Sequence, residues 1–260
     1  MKNKEDLFSL KDKNCVIIGG TGIVGEPITE SFLNYGAKVI VCNRSKKNSN
    51  RILKKFNNYK SNISIINFDQ SNADEIKNLI KKIDNFFGVP DVVVNASVYR
   101  PMKKFLHDTY KKFDDSLLFN ARGLFLINRG FAEQMKNKKK GSIINISSIY
   151  GIVAPDQKNY QGSKINTEPD YPFIKGGIIS MTKYFASYYG KHNIRFNTLI
   201  PGGVLNNQDK NFIKNYKNKV PLNRLANQSD IKGPAVFLAS DASAYVTGES
   251  IVIDGGYTII

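Results

Sequence analysis

The stretch Cys15-Val-Ile-Ile-Gly19-Gly-Thr-Gly22-Ile-Val-Gly25 decides the fold class of this chain. A short β-branched run leads directly into a glycine-rich turn, and a helix-length segment follows. Glycines at this spacing permit a tight turn and let backbone N–H groups and a helix N-terminus approach a pyrophosphate. The stretch therefore predicts a strand, a dinucleotide-binding turn and a helix, with cofactor contacts at Gly19, Thr21, Gly22, Ile23, Val24 and Gly25.

The same alternation of strand and helix patterns continues along all 260 residues. Short apolar runs predict seven strands, at 15–18, 39–42, 63–67, 92–95, 142–146, 195–199 and 250–253. Helical periodicity predicts helices at about 23–35, 46–57, 72–87, 109–137 (with room for a break), 172–190 and 228–239. This order predicts a single α/β domain over 1–260, a Rossmann fold whose doubly wound, seven-stranded parallel sheet has helices on both faces.

Composition limits the function classes. The formal net charge is +16, with 38 Lys and Arg against 22 Asp and Glu, yet these lysines are spread along the chain rather than clustered. We therefore expect no nucleic-acid partner, because such binding needs a concentrated basic surface. No apolar run approaches the ~18–20 residues of a membrane span, and no signal segment is recognisable, so we expect a cytoplasmic protein without a membrane partner. Two histidines and two cysteines make a metal site improbable, and we predict none.

The end of the second predicted strand bears on cofactor choice. Dinucleotide-binding folds that use NAD commonly place an acid here to hold the ribose 2′-hydroxyl. This chain has Asn43-Arg44 instead, which removes a repulsive charge and adds a guanidinium that can bind a 2′-phosphate. We therefore expect NADP(H), with NAD(H) as the alternative. Asp69 and Gln70, at the end of the third strand, are expected on the adenine side of the cofactor.

Two pairs match the pattern Tyr-x-x-x-Lys, namely Tyr160/Lys164 and Tyr171/Lys175. On a helix this spacing puts both side chains on one face, where the ammonium can lower the phenol's pKa below its usual ~10. Pro169 would interrupt a helix that continued from Lys164, because an internal proline costs ~3 kcal/mol or more. An apolar stripe continues for about four turns after Lys175, so we favour Tyr171/Lys175 and keep Tyr160/Lys164 as the alternative.

Several ordered motifs make the chain resemble the short-chain dehydrogenase/reductase family over nearly its full length: Gly19–Gly25, Asn95-Ala-Ser97, Phe119-Asn120, Ile146-Ser-Ser148, the Tyr-x-x-x-Lys pair, Pro201-Gly-Gly203 and Asp254-Gly-Gly256. Ser97 departs from the glycine usual at that place. The resemblance implies a catalytic tetrad in which Tyr171 exchanges a proton with the substrate oxygen, Ser148 holds that oxygen, Lys175 binds ribose and lowers the tyrosine pKa, and Asn120 anchors a water. It also implies cofactor contacts at Asn95, Ala96, Ser97, Tyr171, Lys175, Pro201, Gly202 and Val204.

Residues 154–170 form a long polar stretch without periodicity, which we expect to be an insertion near the active site. With the motifs around it, this stretch most resembles the flagellin-modification type of short-chain oxidoreductase, which acts in nonulosonate sugar metabolism. That resemblance implies a phosphorylated or nucleotide-linked sugar as substrate, with candidate contacts at Ser148, Gln157, Lys158, Tyr160, Lys164 and Gly203.

Two other functions remain open at this point. A 3-oxoacyl-thioester reductase would need an apolar substrate channel, and a non-catalytic nucleotide-binding regulator would need no complete tetrad. The C-terminal segment resembles the family's tetramer-forming strand. We therefore expect a homotetramer, with a homodimer as the alternative, acting on a small-molecule substrate.

Overall fold

Seven parallel strands form the centre of the protein. The structure, a computed structural model, describes residues 6–260. The strands are β1 Asn14–Ile18, β2 Lys38–Asn43, β3 Ile63–Asn67, β4 Val92–Asn95, β5 Gly141–Ile146, β6 Ile194–Pro201 and β7 Ser250–Ile253. They pair in the order β3-β2-β1-β4-β5-β6-β7. The predicted doubly wound, seven-stranded parallel sheet is confirmed, and the strand order reverses between β1 and β4.

Helices cover both faces of this sheet. They are α1 Gly25–Asn34, α2 Lys46–Lys55, α3 Ala73–Phe87, α4 Tyr110–Ser116, α5 Leu124–Lys138, α6 Asp170–Tyr189, α7 Lys210–Lys217 and α8 Lys232–Ala239. Within β1, Cys15 and Ile17 pack under α1, α2 and α8, whereas Val16 and Ile18 pack under α3, α5 and α6. Because successive strand side chains point to opposite faces, a strand buried on both sides is apolar at most positions.

Three helix predictions differ from the structure. Helix α7 lies in a segment with no helix prediction, because its Lys- and Asn-rich composition hides a short apolar stripe of Phe212, Ile213 and Tyr216. Helix α8 begins at Lys232, after a 3₁₀ turn over 228–231. Helix α6 begins at Asp170, two residues before the predicted start.

The predicted helix at 109–137 is interrupted by a π-helical segment, Leu117–Gly123, between α4 and α5. Gly123 lies so close to the β3 end that an added Cβ would be 2.5 Å from the Gln70 carbonyl oxygen. The widened turn contains Asn120, and π-helical turns occur often at functional sites. Within residues 6–260, no helix is both long enough and apolar enough to cross a membrane.

Candidate active site

A cleft of about 950 Å³ opens at the carboxyl ends of the parallel strands. Its walls come from the segments that follow the first six strands, β1 to β6. In open α/β sheets, ligands bind in the crevice outside the carboxyl ends of the strands, where the strand order reverses. The cleft therefore lies where this fold class places a cofactor and its substrate.

The glycine turn after β1 forms one end of the cleft. Gly19 has φ +77°, and an added Cβ there would be 2.6 Å from the backbone of Ser97. An added Cβ at Gly25 would be 2.2 Å from the Gly19 carbonyl oxygen. Helix α1 begins at Gly25 behind Val24, whose side chain makes no capping hydrogen bond. The first N–H groups of α1 therefore have no side-chain cap from Val24, and this geometry fits a nicotinamide dinucleotide's pyrophosphate.

The adenosine side of the cleft contains Asn43 and Arg44. The Asn43 side chain is nearly buried, accepts from Ser45 N at 2.9 Å and donates to Ser49 Oγ at 3.0 Å. Its polar atoms therefore brace the turn after β2. The Arg44 side chain is 60% exposed and lies 4.0 Å from the Asp69 carboxylate, which itself lies outside the cleft lining. Arg44 is thus an exposed cation in the cleft lining after β2, and its guanidinium carbon lies 5.6 Å from the Tyr99 ring centroid.

Gln70 and Ser97 are joined beside the glycine turn. Ser97 Oγ donates to Gln70 Oε1 at 2.5 Å, and Gln70 Nε2 donates to the Phe119 carbonyl at 3.0 Å. Asn95 lies beneath the cleft rather than in its lining and donates to Asn128 and Asn145. The serine that replaces the usual glycine therefore ties the β3 and β4 ends to the π-helical segment.

Tyr171 and Lys175 project from the first turns of α6 into the cleft. Pro169 directly precedes the helix, and Pro172 lies within its first turn, where a missing N–H costs no helical hydrogen bond. Lys175 is buried and donates from Nζ to the Ile146 carbonyl oxygen at 2.9 Å. Its ammonium lies 5.5 Å from the Tyr171 ring centroid. Ser148, at the end of the adjacent β5, lines the same part of the cleft.

Burial dominates the protonation of this pair in the protein alone. Burial raises the pKa of Tyr171, and Ser148 and Arg100 only partly offset it. Burial, followed by repulsion from Arg100, lowers the pKa of Lys175 to about 7. The phenol is therefore held in its proton-donating form, while the lysine charge becomes sensitive to nearby ligands.

Asn120 lies behind the cleft lining rather than in it. Its side chain accepts from Tyr99 N at 2.9 Å and donates to Tyr99 O at 2.7 Å and to Ser116 Oγ at 3.1 Å. Ser116 in turn donates to the buried Asp170 carboxylate at 2.7 Å, next to Tyr171. In this structure the Asn120 amide connects the β4 loop to the start of α6.

The second tyrosine–lysine pair does not share a helix. Tyr160 ends a 3₁₀ turn, Gly162 follows with φ +70°, and Lys164 lies in irregular chain. Tyr160 Oη donates to Tyr150 Oη at 2.9 Å and lies 2.6 Å from Thr167 Oγ1. Its hydroxyl is therefore hydrogen-bonded to neighbouring side chains of the protein.

Other predicted substrate contacts separate in the structure. Tyr160, Lys164 and Gly203 line the cleft, whereas Lys158 and Gln157 lie outside its lining. Gln157 is exposed and donates to Pro155 O at 3.4 Å. In this structure the short turn at 157–160 directs the Gln157 side chain to the surface, away from the cleft where a substrate contact was expected.

Sequence reasoning missed several lining residues. Ser45 and Asn48 border Arg44, and the Arg44 guanidinium carbon lies 5.6 Å from the ring centroid of Tyr99. Arg100, Phe212 and Tyr216 also line the cleft. The Ser45 side chain caps α2, a signal readable from the Arg-Ser sequence before a helix. Arg100 and α7 carried no such local signal. Among the described residues no cluster of three or more His, Cys, Asp or Glu could hold a metal ion.

The chain is similar to known oxidoreductases along almost its whole length. Residues 21–258 match a family described as enoyl-(acyl carrier protein) reductase. The 3-oxoacyl-[acyl-carrier-protein] reductase FabG of Thermotoga maritima is 29% identical, over 96% of this chain and 99% of that protein. Flagellin modification protein A of Campylobacter coli is 28% identical, over 95% and 99%.

A solved structure gives the same result. A short-chain dehydrogenase from Leptospira borgpetersenii with bound NAD+ is 35% identical, covers 99% of this chain and 97% of its own, and superposes with a TM-score of 0.86. The acyl-carrier reductase and the flagellin protein have nearly equal identity to this chain. The comparisons therefore establish the family and leave the substrate subgroup undecided.

Proposed function

Since the chain belongs to the short-chain dehydrogenase/reductase family, a family of nicotinamide-dependent oxidoreductases, we propose that it interconverts an alcohol and a ketone on a small polar substrate, using NADP(H). The observation that carries this proposal is the placement of Ser148, Tyr171 and Lys175 in one cleft with the glycine turn. A phenol and a buried ammonium beside a dinucleotide-binding turn are the groups that a coupled hydride and proton transfer requires.

Each residue has a separate role in the proposed reaction. The nicotinamide, when bound, gives or takes the hydride. The Tyr171 phenol gives a proton to the substrate oxygen in reduction and takes it in oxidation, a step usually worth ~10²–10⁴-fold. The Ser148 hydroxyl orients that oxygen. Lys175, fixed by the Ile146 carbonyl, holds positive charge beside the phenol and thereby stabilises the phenolate that reduction leaves.

Asn120 supports this arrangement from behind. Its amide joins Tyr99 to Ser116, and Ser116 bonds Asp170 in the turn that carries Tyr171. We propose that Asn120 holds the loop after β4 in a fixed position relative to the start of α6.

The preference for NADP(H) rests on Arg44. The guanidinium is exposed at the end of β2, its nearest acid is 4.0 Å away, and Asn43 puts no charge beside it. The Leptospira relative has NAD+ bound, so the family by itself does not decide the cofactor. A 2′-phosphate would find a planar donor fork here, a geometry that favours bidentate binding.

Cofactor titration tests the first half of the proposal. NADPH and NADH binding should be followed by fluorescence for the wild type, for Arg44→Ala and for Arg129→Ala, a surface arginine outside the cleft. NADPH should bind about 10-fold or more tightly than NADH, and only Arg44→Ala should remove the difference. Equal affinities in the wild type would reject the NADP(H) assignment.

One side of the cleft, formed by residues 164–168 and called the polar wall here, favours a sugar derivative as substrate. Residues 164–168 contribute Lys164, Asn166, Thr167 and Glu168 to the cleft. Such a wall places several polar side chains where substrate hydroxyl groups could also bond to them, which suits a sugar better than a long acyl chain. The similarity to a flagellin modification protein is in line with the phosphorylated or nucleotide-linked sugar that we propose.

An acyl-thioester reductase is the second candidate because of the matching family's description and the relative in Thermotoga maritima. A substrate screen that follows NADPH absorbance should include sugar phosphates, sugar nucleotides and 3-oxoacyl thioesters. Turnover of thioesters alone would replace the sugar proposal.

We also propose a homotetramer, supported by the exposed Tyr245, Val252, Ile259 and Ile260 near the C-terminus; light scattering that gives a monomer would reject it.

A further inference from the structure

Arg100 is the feature of the cleft that the proposed reaction leaves unexplained. It follows β4 in a loop, is exposed, and places its guanidinium carbon 4.5 Å from the ring centroid of Tyr171. Its Nη2 donates to Asn166 O and to Thr167 Oγ1, each at 3.4 Å. Both acceptors are neutral and both distances are at the limit of a hydrogen bond. The donors of this arginine are therefore weakly satisfied by the protein.

The charges around Arg100 are unbalanced. Lys103 and Lys164 also line the cleft. Among the described residues, no ion pair within 4.0 Å involves any of these three cations. Glu168 is the one acidic side chain that lines the cleft in the described chain, and it is buried and accepts from Phe105 N at 3.0 Å. The cleft lining thus carries more cationic than carboxylate side chains, and the Glu168 carboxylate is already hydrogen-bonded within the protein.

We propose that Arg100, in a cleft that Lys103 and Lys164 also line, binds an anionic group of the substrate, a carboxylate or a phosphate, close to the carbon that reacts. The inference rests on the proposed oxidoreductase function and specifies its substrate class. A guanidinium presents a planar fork of donors that matches either anion. Because the Arg100 guanidinium carbon lies 4.5 Å from the Tyr171 ring centroid, an anion on this arginine lies near the phenolic oxygen. The anion therefore lies only a few bonds from the reacting carbon.

An anion at this place would also act on the catalytic pair. Arg100 is the charged group that adds to burial in lowering the pKa of Lys175. A carboxylate or phosphate on Arg100 screens that repulsion and helps Lys175 stay protonated beside Tyr171. Substrate binding and the charge of the lysine are then coupled, so an anionic substrate is favoured in the chemical step as well as in binding.

Three sugars with one ring skeleton provide the probes: glucuronate with a carboxylate, glucose 6-phosphate with a phosphate, and neutral glucose. Their dissociation constants should be measured by calorimetry with the full chain saturated with NADPH. We expect the wild type to bind at least one charged sugar about 10- to 100-fold more tightly than glucose, the range that a charged hydrogen bond gives. The better of the two charged sugars identifies the anion.

Arg100→Gln should remove the advantage of the charged sugar, and Arg100→Lys should keep part of it. Arg129→Gln is the matched control, because Arg129 is also an exposed arginine over an aromatic ring, Phe125, but lies outside the cleft. Unchanged NADPH affinity in each variant shows that the fold is intact.

Equal binding of all three sugars by the wild type, binding of none, or a preference that survives Arg100→Gln would overturn the inference. The binding assay does not depend on turnover. A variant-sensitive anion preference in a protein that reduces no carbonyl would reject the proposed activity and leave the anion site standing.

Discussion

Replacing Tyr171 and Tyr160 separately by phenylalanine should distinguish the residue that transfers the proton from the residue that only stabilises the polar wall. Tyr171→Phe removes the proton that the substrate oxygen needs, and the buried ring itself is retained. Loss of a general acid–base group usually lowers kcat by ~10²–10⁴-fold. Since Lys175 keeps its bond to the Ile146 carbonyl, cofactor affinity should change little.

Tyr160→Phe should have the opposite profile. The variant loses the bond to Tyr150 Oη at 2.9 Å and the contact with Thr167 Oγ1 at 2.6 Å, while its ring can still pack on Phe212. Two neutral hydrogen bonds together stabilise the fold by about 1–3 kcal/mol. In a chain of this size each kcal/mol lost lowers Tm by about 2–4 °C. Its kcat should remain within a few-fold of the wild type.

NADPH absorbance on whichever carbonyl proves active gives kcat, and urea unfolding gives stability. Circular dichroism of both variants guards against misfolding. If Tyr160→Phe lost ~10²-fold or more in kcat while folded and Tyr171→Phe did not, the assignment of roles to the two Tyr-x-x-x-Lys motifs would be refuted.

Three further changes test other parts of the site. Gly25→Ala should abolish NADPH binding in fluorescence titration, because the new Cβ would be 2.2 Å from the Gly19 carbonyl oxygen; wild-type affinity would contradict the turn geometry. The native Lys175 pKa of about 7 lies below the unfolded value of 10.5, so the unfolded chain binds more protons between these values and stability should rise with pH, by up to about 1.4 kcal/mol per unit. Lys175→Met should lack that rise in urea unfolding from pH 7 to 9.5, and parallel curves would argue against a buried lysine. Asn215→Ala removes bonds at 3.3 and 3.0 Å from α7 to the carbonyls of Lys158 and Gln161 and should raise KM with little change in kcat; an unchanged KM would separate α7 from the substrate wall.

The strands were predictable because their signal is local. A strand buried on both faces is mostly apolar, and runs rich in β-branched residues predicted β1 to β7 within one or two residues of the observed bounds. The glycine turn was predictable for the same reason, since backbone geometry at Gly19 and Gly25 excludes side chains. Helix α7 failed this test because its apolar positions are few and its neighbours are distant in sequence.

Two prolines made the start of α6 predictable from the sequence. Pro169 and Pro172 are compatible with the first turn of a helix and incompatible with one continuing from Lys164. That reasoning placed Tyr171 and Lys175 together near a helix start, where the structure also has them. The exact start, Asp170, depends on a distant partner, Ser116, which bonds the Asp170 carboxylate.

Local patterns were enough to predict the seven-stranded α/β architecture, the glycine turn and a short set of candidate catalytic residues, because strand patterning, glycine geometry and proline geometry act over a few neighbouring residues. How side chains meet across long separations became visible only in the folded protein. The tertiary structure turned the Asn43 amide into the turn, left Gln157 at the surface, engaged Tyr160 with Tyr150, and brought Arg100 over Tyr171. Such contacts depend on where loops from different strands converge, and no periodicity in the chain records that convergence.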